Sequence, residues 1–321
     1  MKILRHIDDN TVAHVSSMYG KDGGDIVQNP MISVCIIAYN AVDWIEQAIE
    51  GVMNQNDYYN YEVIISDDCS TDGTCEIVRS QLWKHPDKVK TLTSTRNLGP
   101  DSGMCNFVRC LQDARGKYVA ILEADDFWHD FNKLKDQVSF LEHNADYSCS
   151  FTQANVDEHG FNFTGIAERY ANAKEHWEPS EVLDNDFQCA TAGLVFRRDL
   201  VKKLPRWFYD CAYIDRPIRG MLAKHGKFHC LQRKAVTYRL NNWGGLYKLM
   251  KTGSVNVMIE SHKVFKGLAS YHKEHRPQLA ARRDELASKI YKKQGGKRYL
   301  LGRLRHKMRQ QPVKIQESIT A

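Results

Sequence analysis

No stretch of this 321-residue chain approaches the roughly 18 uncharged apolar residues of a membrane-spanning helix, and its start, MKILRHIDDN, lacks the apolar core of a secretory signal. A cytoplasmic protein is therefore expected. Paired short cysteine spacings are also missing. The nine cysteines, an odd number, are scattered at positions such as Cys35, Cys69, Cys105, Cys149 and Cys230, which argues against a disulfide framework or a zinc knuckle. His225, His229 and Cys230 come nearest to a metal cluster, but they flank the start of a strand and no zinc is expected. Neither GxxxxGK[ST] nor GxGxxG occurs, so a P-loop NTPase and a standard dinucleotide site are both unsupported. No internal repeat is visible.

Hydrophobic residues at 42% and aromatic residues at 10% are enough for one large α/β domain with an appendage. The net charge of +6 conceals a division: residues 246–321 hold 18 Lys+Arg against 5 Asp+Glu, and the rest holds 27 against 34. The basic charge belongs to the C-terminal region.

Residues 1–30, polar and Gly-rich around GKDGGD, read as a loosely held leader. From Met31 apolar strand-like runs alternate with helical patterns. SVCIIAY is followed by a helix with Trp44, Ile45, Ala48, Ile49 and Val52 on one face, then by YEVIIS. Next come a helix over about 74–81, the strand VKTLTS, a helix over about 103–114 and the strand KYVAILE. An amphipathic helix over 132–143, strand-like YSCSFTQ, a less regular stretch to about Asp186, GLVFRR, a helix over 215–224, and two strands KFHCLQ and AVTYRL complete residues 31–245. Such alternation predicts a mostly parallel sheet covered by helices on both faces, with ligands bound at the carboxyl ends of the strands. Residues 246–321 read as a basic helical region.

Polar residues follow three strands: Tyr39 and Asn40, then Asp67 and Asp68, then Glu123, Asp125 and Asp126. Carboxylates crowded at one sheet edge repel each other unless a cation sits among them. Carboxylate ligation suits Mg²⁺ or Mn²⁺, which bridges such groups to nucleotide phosphates. The plainer reading of DDCSTDGT is a helix-capping loop, and that of Glu123, Asp125 and Asp126 a solvated turn.

SVCIIAYN, YEVIISDDCSTDGT, RNLG at residues 96–99 and GKYVAILEADDFW, in this order, resemble the family-2 inverting glycosyltransferases of the GT-A fold over residues 32–243. EADDFW further resembles a bacterial subgroup whose acidic motif reads E-[GA]-D-D-[YF]-W. The resemblance implies Rossmann-like α/β architecture and transfer of a sugar from a nucleotide-sugar, UDP-linked by expectation, to a saccharide or lipid-linked acceptor in cell-surface polysaccharide or glycoconjugate synthesis. It implies Tyr39, Asn40, Asp67, Asp68, Arg96, Glu123 and Asp125 at the donor, and Asp125 with Asp126 at Mn²⁺ or Mg²⁺. Glu123 stands where the family has Asp, one methylene shorter.

By the same resemblance Asp215, opening a helix after TAGLVFRR, takes the place of the general base, with Asp210 as its rival. Thr191, Arg239 and Trp243 are expected to line the sugar or acceptor pocket. Two other readings compete: an inactive nucleotide-binding homologue, supported by the Glu at position 123, and nucleic-acid binding through the basic tail. Against the second, the tail lacks an interleaved aromatic platform. Basic charge combined with apolar positions at Leu279, Leu286, Ile290, Leu300, Leu301, Leu304 and Met308 fits helices lying on an anionic membrane, from which a domain ending near Gly267 should be separable. The alternative is a helical pair packed on the domain.

Overall fold

The computed structural model describes residues 19–22, 27–97, 102–157, 164–184, 187, 189–240 and 255–293. The first half comprises β1 (Tyr19–Asp22), β2 (Ile32–Ala38), α1 (Ile45–Met53), β3 (Tyr61–Asp67), α2 (Thr74–Lys84), β4 (Val89–Ser94), α3 (Ser102–Asp113) and β5 (Tyr118–Glu123). After the short β6 (Phe127–Trp128) come α4 (Lys133–His143), β7 (Tyr147–Asp157), α5 (Thr164–Ala171), β8 (His176–Trp177) and α6 (Pro179–Val182). A 3₁₀ turn at Thr191–Gly193 leads into β9 (Val195–Arg197), followed by α7 (Arg206–Tyr209), α8 (Asp215–Leu222), β10 (Lys227–Arg239), α9 (Val255–Tyr271) and α10 (Arg276–Lys293).

The strands form one mixed sheet in the order β1-β4-β3-β2-β5-β9-β7-β10-β6, with β8 on β10. Strands β4, β3, β2 and β5 are mutually parallel, and β7 is parallel to β10. The antiparallel β9 lies between these two blocks. The central strands are buried on both faces, so their side chains divide between two cores. Cys35, Ile64 and Ile121 join α3 and α8 on one face, while Val34, Ile36, Ile65 and Leu122 join α1 and α4 on the other. This double burial explains why the strands read as near-continuous apolar runs. On α1 the buried residues are Ile45, Ala48, Ile49 and Val52, the stripe that the sequence periodicity predicts.

Three expectations change. Within the supposed leader, Tyr19–Asp22 adds an antiparallel edge strand to β4. The two strands expected at KFHCLQ and AVTYRL are one continuous β10, whose register against β7 shifts around Leu231, Lys234 and Val236. A β-bulge there looks like a turn in sequence because it interrupts the apolar alternation.

The basic C-terminal region is not peripheral where it is described. Val264, Phe265, Leu268, Ala269 and Leu279 belong to the same core as α3 and α8, and Leu286 packs against it. Ile290 is 1% exposed. Glycine permits the close approach: a Cβ on Gly220 would lie 2.3 Å from Leu268 Cδ2, and one on Gly267 would lie 2.3 Å from Trp207 Cδ2. His272 Nε2 lies 2.7 Å from the Gly220 carbonyl and ties α9 to α8. The apolar positions of α10 thus face protein, as in the packed-pair alternative. Among the described residues no helix is long and apolar enough to cross a membrane. Leu300, Leu301, Leu304 and Met308 lie outside the described residues.

Candidate active site

Parallel pairing brings the three polar groups to one edge of the sheet. Ala38 is level with Asp67 and Ile37 with Glu123, so the ends of β3 and β5 flank the end of β2. The ladder continues one step further, with the Asp68 N–H on the Ala38 carbonyl at 3.1 Å and the Ala124 N–H on the Ile37 carbonyl at 2.9 Å.

On the β3 side the polar residues mostly hold one another. Asn40, at φ 46° in the left-handed region that Asn tolerates, accepts from Thr71 N–H at 2.9 Å through Oδ1 and donates its N–H to Ser70 Oγ at 2.8 Å. The Asp67 carboxylate accepts the Ser70 hydroxyl and, at 3.1 Å, the Ser70 N–H. Its burial raises its pKa, and the Ser70 hydrogen bonds oppose the rise. Asp67 and Asn40 therefore shape the loop between β3 and α2 without capping the helix, whose N-cap is Gly73 and carries no side-chain cap. Asp68 is also fully buried, and Asn97 Nδ2 donates to its Oδ2 at 2.9 Å. Tyr39, just past the end of β2, is 48% exposed, and Arg96, just past the end of β4, is exposed as well.

On the β5 side the chain turns sharply, with the Asp126 N–H on the Glu123 carbonyl at 3.0 Å. Asp126 points inward at 1% exposure, and its Oδ1 accepts the Arg239 N–H at 2.8 Å. Arg239 Nη1 donates to the Asp125 carbonyl at 2.8 Å, Nη2 reaches Gln47 Oε1, and the guanidinium lies 4.6 Å from the Trp44 ring centre and 4.5 Å from that of Phe127. Arg239, expected to line the sugar or acceptor pocket, is instead 7% exposed and holds the acidic turn from beneath. Asp125 is half-buried, the more open of the two aspartates.

The carboxylates press on one another. Burial pushes Glu123 up to about 8, reinforced by the charges of Asp125 and Asp215 and opposed by a hydrogen bond from Thr191. Burial likewise raises Asp126, with Asp125 and Glu123 adding to the effect. Thr191 starts the 3₁₀ turn, which Trp128 Nε1 anchors through the Ala192 carbonyl at 2.8 Å.

Asp215 is the first residue of α8, where the helix dipole favours a negative charge. Its Oδ2 lies 3.5 Å from Arg219 Nη2, whereas Oδ1 is shielded from solvent and has no hydrogen-bond partner. Glu123 Oε2 and Asp126 Oδ2 are in the same condition. Three unsatisfied carboxylate oxygens thus belong to residues at one locus, an arrangement that costs stability unless a ligand completes it. Asp210 lies apart from them, exposed at the end of α7. Trp243 lies outside the described residues.

The sequence reading missed Asn97, Arg219 and the Gln47–Trp44 seat of Arg239. Asn97 stood inside the RNLG motif, and Arg219 lies four residues after Asp215 on the same helix, the spacing at which opposite charges meet. No local signal marked Gln47.

The pattern that defines the family described as glycosyl transferase family 2 matches residues 33–204, more than half of the chain. The chain belongs to this family. Bacillus subtilis TuaG, assigned to teichuronic acid biosynthesis as a glycosyltransferase, is 36% identical over 123 residues, 38% of this chain and 45% of TuaG. An uncharacterised protein of Mycobacterium bovis is 34% identical over 125 residues, 39% of this chain and 35% of that protein. The matched region spans less than half the length of each relative.

Two solved structures show the fold. Staphylococcus aureus TarS 1–349 in complex with UDP-GlcNAc superposes with a TM-score of 0.60 at 15% identity, covering 81% of this chain and 72% of that one. The mannosyltransferase PcManGT of Pyrobaculum calidifontis, in complex with GDP-Man and Mn²⁺, gives 0.53 at 19% identity, covering 84% and 77%. This family-2 chain has the GT-A fold.

Proposed function

We propose that this chain is an inverting glycosyltransferase that moves a sugar from a nucleotide-sugar, UDP-linked by preference, to an acceptor hydroxyl in bacterial cell-surface polysaccharide or glycoconjugate synthesis. The observation that carries the reading is the set of unsatisfied carboxylate oxygens on Glu123, Asp126 and Asp215, from the end of β5 and the start of α8. TarS with UDP-GlcNAc and PcManGT with GDP-Man support a nucleotide-sugar donor, and TuaG supports the pathway class. EADDFW at 123–128 supports placement in the subgroup with the E-[GA]-D-D-[YF]-W motif.

The donor enters at the β2–β3–β5 edge. Tyr39 is open to the base, and Asp68 becomes available when Asn97 releases it. Thr191, already turned to Glu123, stands on the sugar side. Asp215 Oδ1 accepts the proton of the acceptor hydroxyl, whose oxygen attacks the anomeric carbon opposite the diphosphate. The bond to the diphosphate breaks, and an α-linked donor yields a β product. Arg219 keeps the Asp215 carboxylate oriented while this happens.

The donor set fits a divalent cation, because like charges crowd at Glu123, Asp125 and Asp126, and a shielded oxygen on each of Glu123 and Asp126 lacks a hydrogen-bond partner. Among the described residues no group of three His, Cys, Asp or Glu side chains is placed to hold a metal ion by itself. Mn²⁺ and Mg²⁺ are commonly held by one or two carboxylates, with substrate phosphates and water completing the shell. Asp125 is the residue that would hold the ion, with Asp126 behind it. When bound, the ion offsets the negative charge that develops on the departing diphosphate.

Calorimetric titration with UDP tests the assignment. Affinity in Mn²⁺ should fall at least about tenfold in EDTA and in Asp125→Ala. Equal affinity in all three states removes the metal from the proposal. Product NMR should show the anomeric configuration opposite to the donor's, and retention would overturn the inverting assignment.

A further inference from the structure

Lys133, the first residue of α4, sits where its surroundings disfavour a cation. Its side chain is 0% exposed, and Nζ is shielded from solvent with no hydrogen-bond partner. The helix dipole disfavours positive charge at an N-terminus. Burial pulls the Lys133 pKa down to about 7, against the opposing charges of Asp130 and Cys149. The Asp130 carboxylate is already engaged by Arg233 and, at 2.8 Å, by the Asn132 N–H. The ammonium lies instead against the Trp128 ring, 3.9 Å from its centre, where the aromatic face attracts a cation.

Trp128 is in turn tied to the turn that meets Glu123. It ends β6 at 2% exposure, and its Nε1 donates to the Ala192 carbonyl at 2.8 Å, in the middle of the 3₁₀ turn Thr191–Gly193. One helical turn along α4, Gln137 Nε2 donates to the Gly193 carbonyl at 3.0 Å and to the Ser150 carbonyl at 2.9 Å. Lys133 and Gln137, four residues apart, share a helix face. That face therefore grips two successive carbonyls of the turn, one through the indole and one directly. At the start of the same turn Thr191 hydrogen-bonds Glu123.

A buried charge without a partner can usually be replaced by an apolar residue of similar size with no loss of stability. Methionine at position 133 would fill the same space without desolvating an ammonium, so packing does not account for the lysine. What the ammonium adds is a restraint on the plane of the indole, and that plane aims Nε1 at Ala192.

We infer that Lys133 is a positioning residue for the transfer: its ammonium fixes the Trp128 indole, the indole fixes the Thr191–Gly193 turn, and the turn holds Thr191 to Glu123. That the turn serves the donor sugar rests on the transferase reading, whereas the link from Lys133 to the turn rests on the contacts alone. The nucleotide edge at β2 and β3 lies outside this chain of contacts, so nucleotide affinity does not depend on it.

The test compares wild type, Lys133→Met, Trp128→Phe and the double variant at pH 6, where the Lys133 ammonium keeps its proton. Hydrogen exchange read by mass spectrometry reports on the turn without any need for activity. The Gly193 and Leu194 amides, bonded to the Ala190 and Thr191 carbonyls, should exchange about fivefold or more faster in Lys133→Met. Its melting temperature should equal or exceed that of wild type. Affinity for UDP in Mn²⁺ should stay within about twofold, while nucleotide release from UDP-GlcNAc, UDP-glucose or GDP-mannose should slow about tenfold or more. Trp128→Phe keeps a ring but loses the N–H, and the double variant should lose no more than the worse single variant, because both changes break one link. A lower melting temperature in Lys133→Met makes the lysine a structural residue and overturns the inference. Wild-type exchange or wild-type turnover in Lys133→Met overturns it too, as do losses that multiply in the double variant. Faster exchange at the turn, in a protein whose wild type releases nucleotide from none of these donors, counts against the transferase reading alone.

Discussion

The Arg239 backbone N–H donates to the buried Asp126 carboxylate at 2.8 Å, so the end of β10 closes on the acidic turn that follows β5. Two segments more than a hundred residues apart are thereby latched at the point where the carboxylates converge. The Arg239 side chain extends the latch to the Asp125 carbonyl and to Gln47 on α1.

Arg239→Lys tests this latch. Lysine keeps the charge, but its single ammonium cannot reach both partners or stack as a plane between Trp44 and Phe127. A melting temperature several degrees lower is expected, with kcat/KM down about tenfold or more through a looser Asp125. A variant with wild-type melting and wild-type kinetics would show that the turn holds itself.

Asp215→Asn separates binding from proton transfer. The amide keeps the shape and can still meet Arg219 through its oxygen, but it cannot accept a proton. UDP affinity should stay within about twofold of wild type while turnover drops roughly 10²-fold or more. Asp210→Asn, at an exposed helix end, should turn over normally. The reverse pattern would exchange the two roles.

The first half of the fold was legible because its parallel strands are buried on both faces and two of them, β3 and β5, end abruptly in acid. Glu123 and Asp67 could be placed at one edge from the parallel pattern alone. The second half was less so. β9 runs antiparallel and is only three residues long, too short for a period, and the β10 bulge interrupts the alternation at Gln232 to Lys234. The family resemblance pointed to Arg239 as a residue of the sugar or acceptor pocket, whereas its hold on the acidic turn depends on a strand brought from 113 residues away. Leu279 and Ile290 were visible as apolar positions of α10, but the basic charge around them left a membrane-facing and a packed reading both open, and the structure buries them.

His229 should set part of the acid limit of stability. Its ring stacks 3.5 Å from that of Phe140, and Nδ1 is 3.0 Å from Ser150 Oγ. Burial, with His176 nearby, depresses its pKa from the ordinary 6.5 to about 4. Between these values the unfolded chain takes up a proton that the native ring refuses, so stability is complete above about 6.5 and falls as the pH drops toward 4. His229→Gln, which does not titrate, should show a shallower fall in melting temperature from pH 7 to pH 4.5. An identical slope in both proteins would assign the acid loss to other groups.

Truncation distinguishes the packed helices from the charged tail beyond them. A chain ending at Gly267 loses Leu268, Ala269 and Leu279 from the core shared with α3 and α8, so the expectation that such a domain survives is corrected: it should be insoluble or fail to unfold cooperatively. A chain ending at Lys293 retains both helices and should keep the wild-type melting temperature and UDP affinity. What it lacks is residues 294–321, with seven Lys+Arg and one Glu. Attraction to an anionic surface is worth about 1 kcal/mol per basic residue and is screened by salt. Association with an anionic membrane face remains a proposal, and that segment is where it now rests. Full-length protein should co-sediment with phosphatidylglycerol vesicles at low salt and dissociate as salt rises, while the 1–293 chain should stay in the supernatant. Full-length protein that ignores the vesicles would end the membrane proposal, and undiminished binding by the 1–293 chain would transfer it to the exposed face of α10.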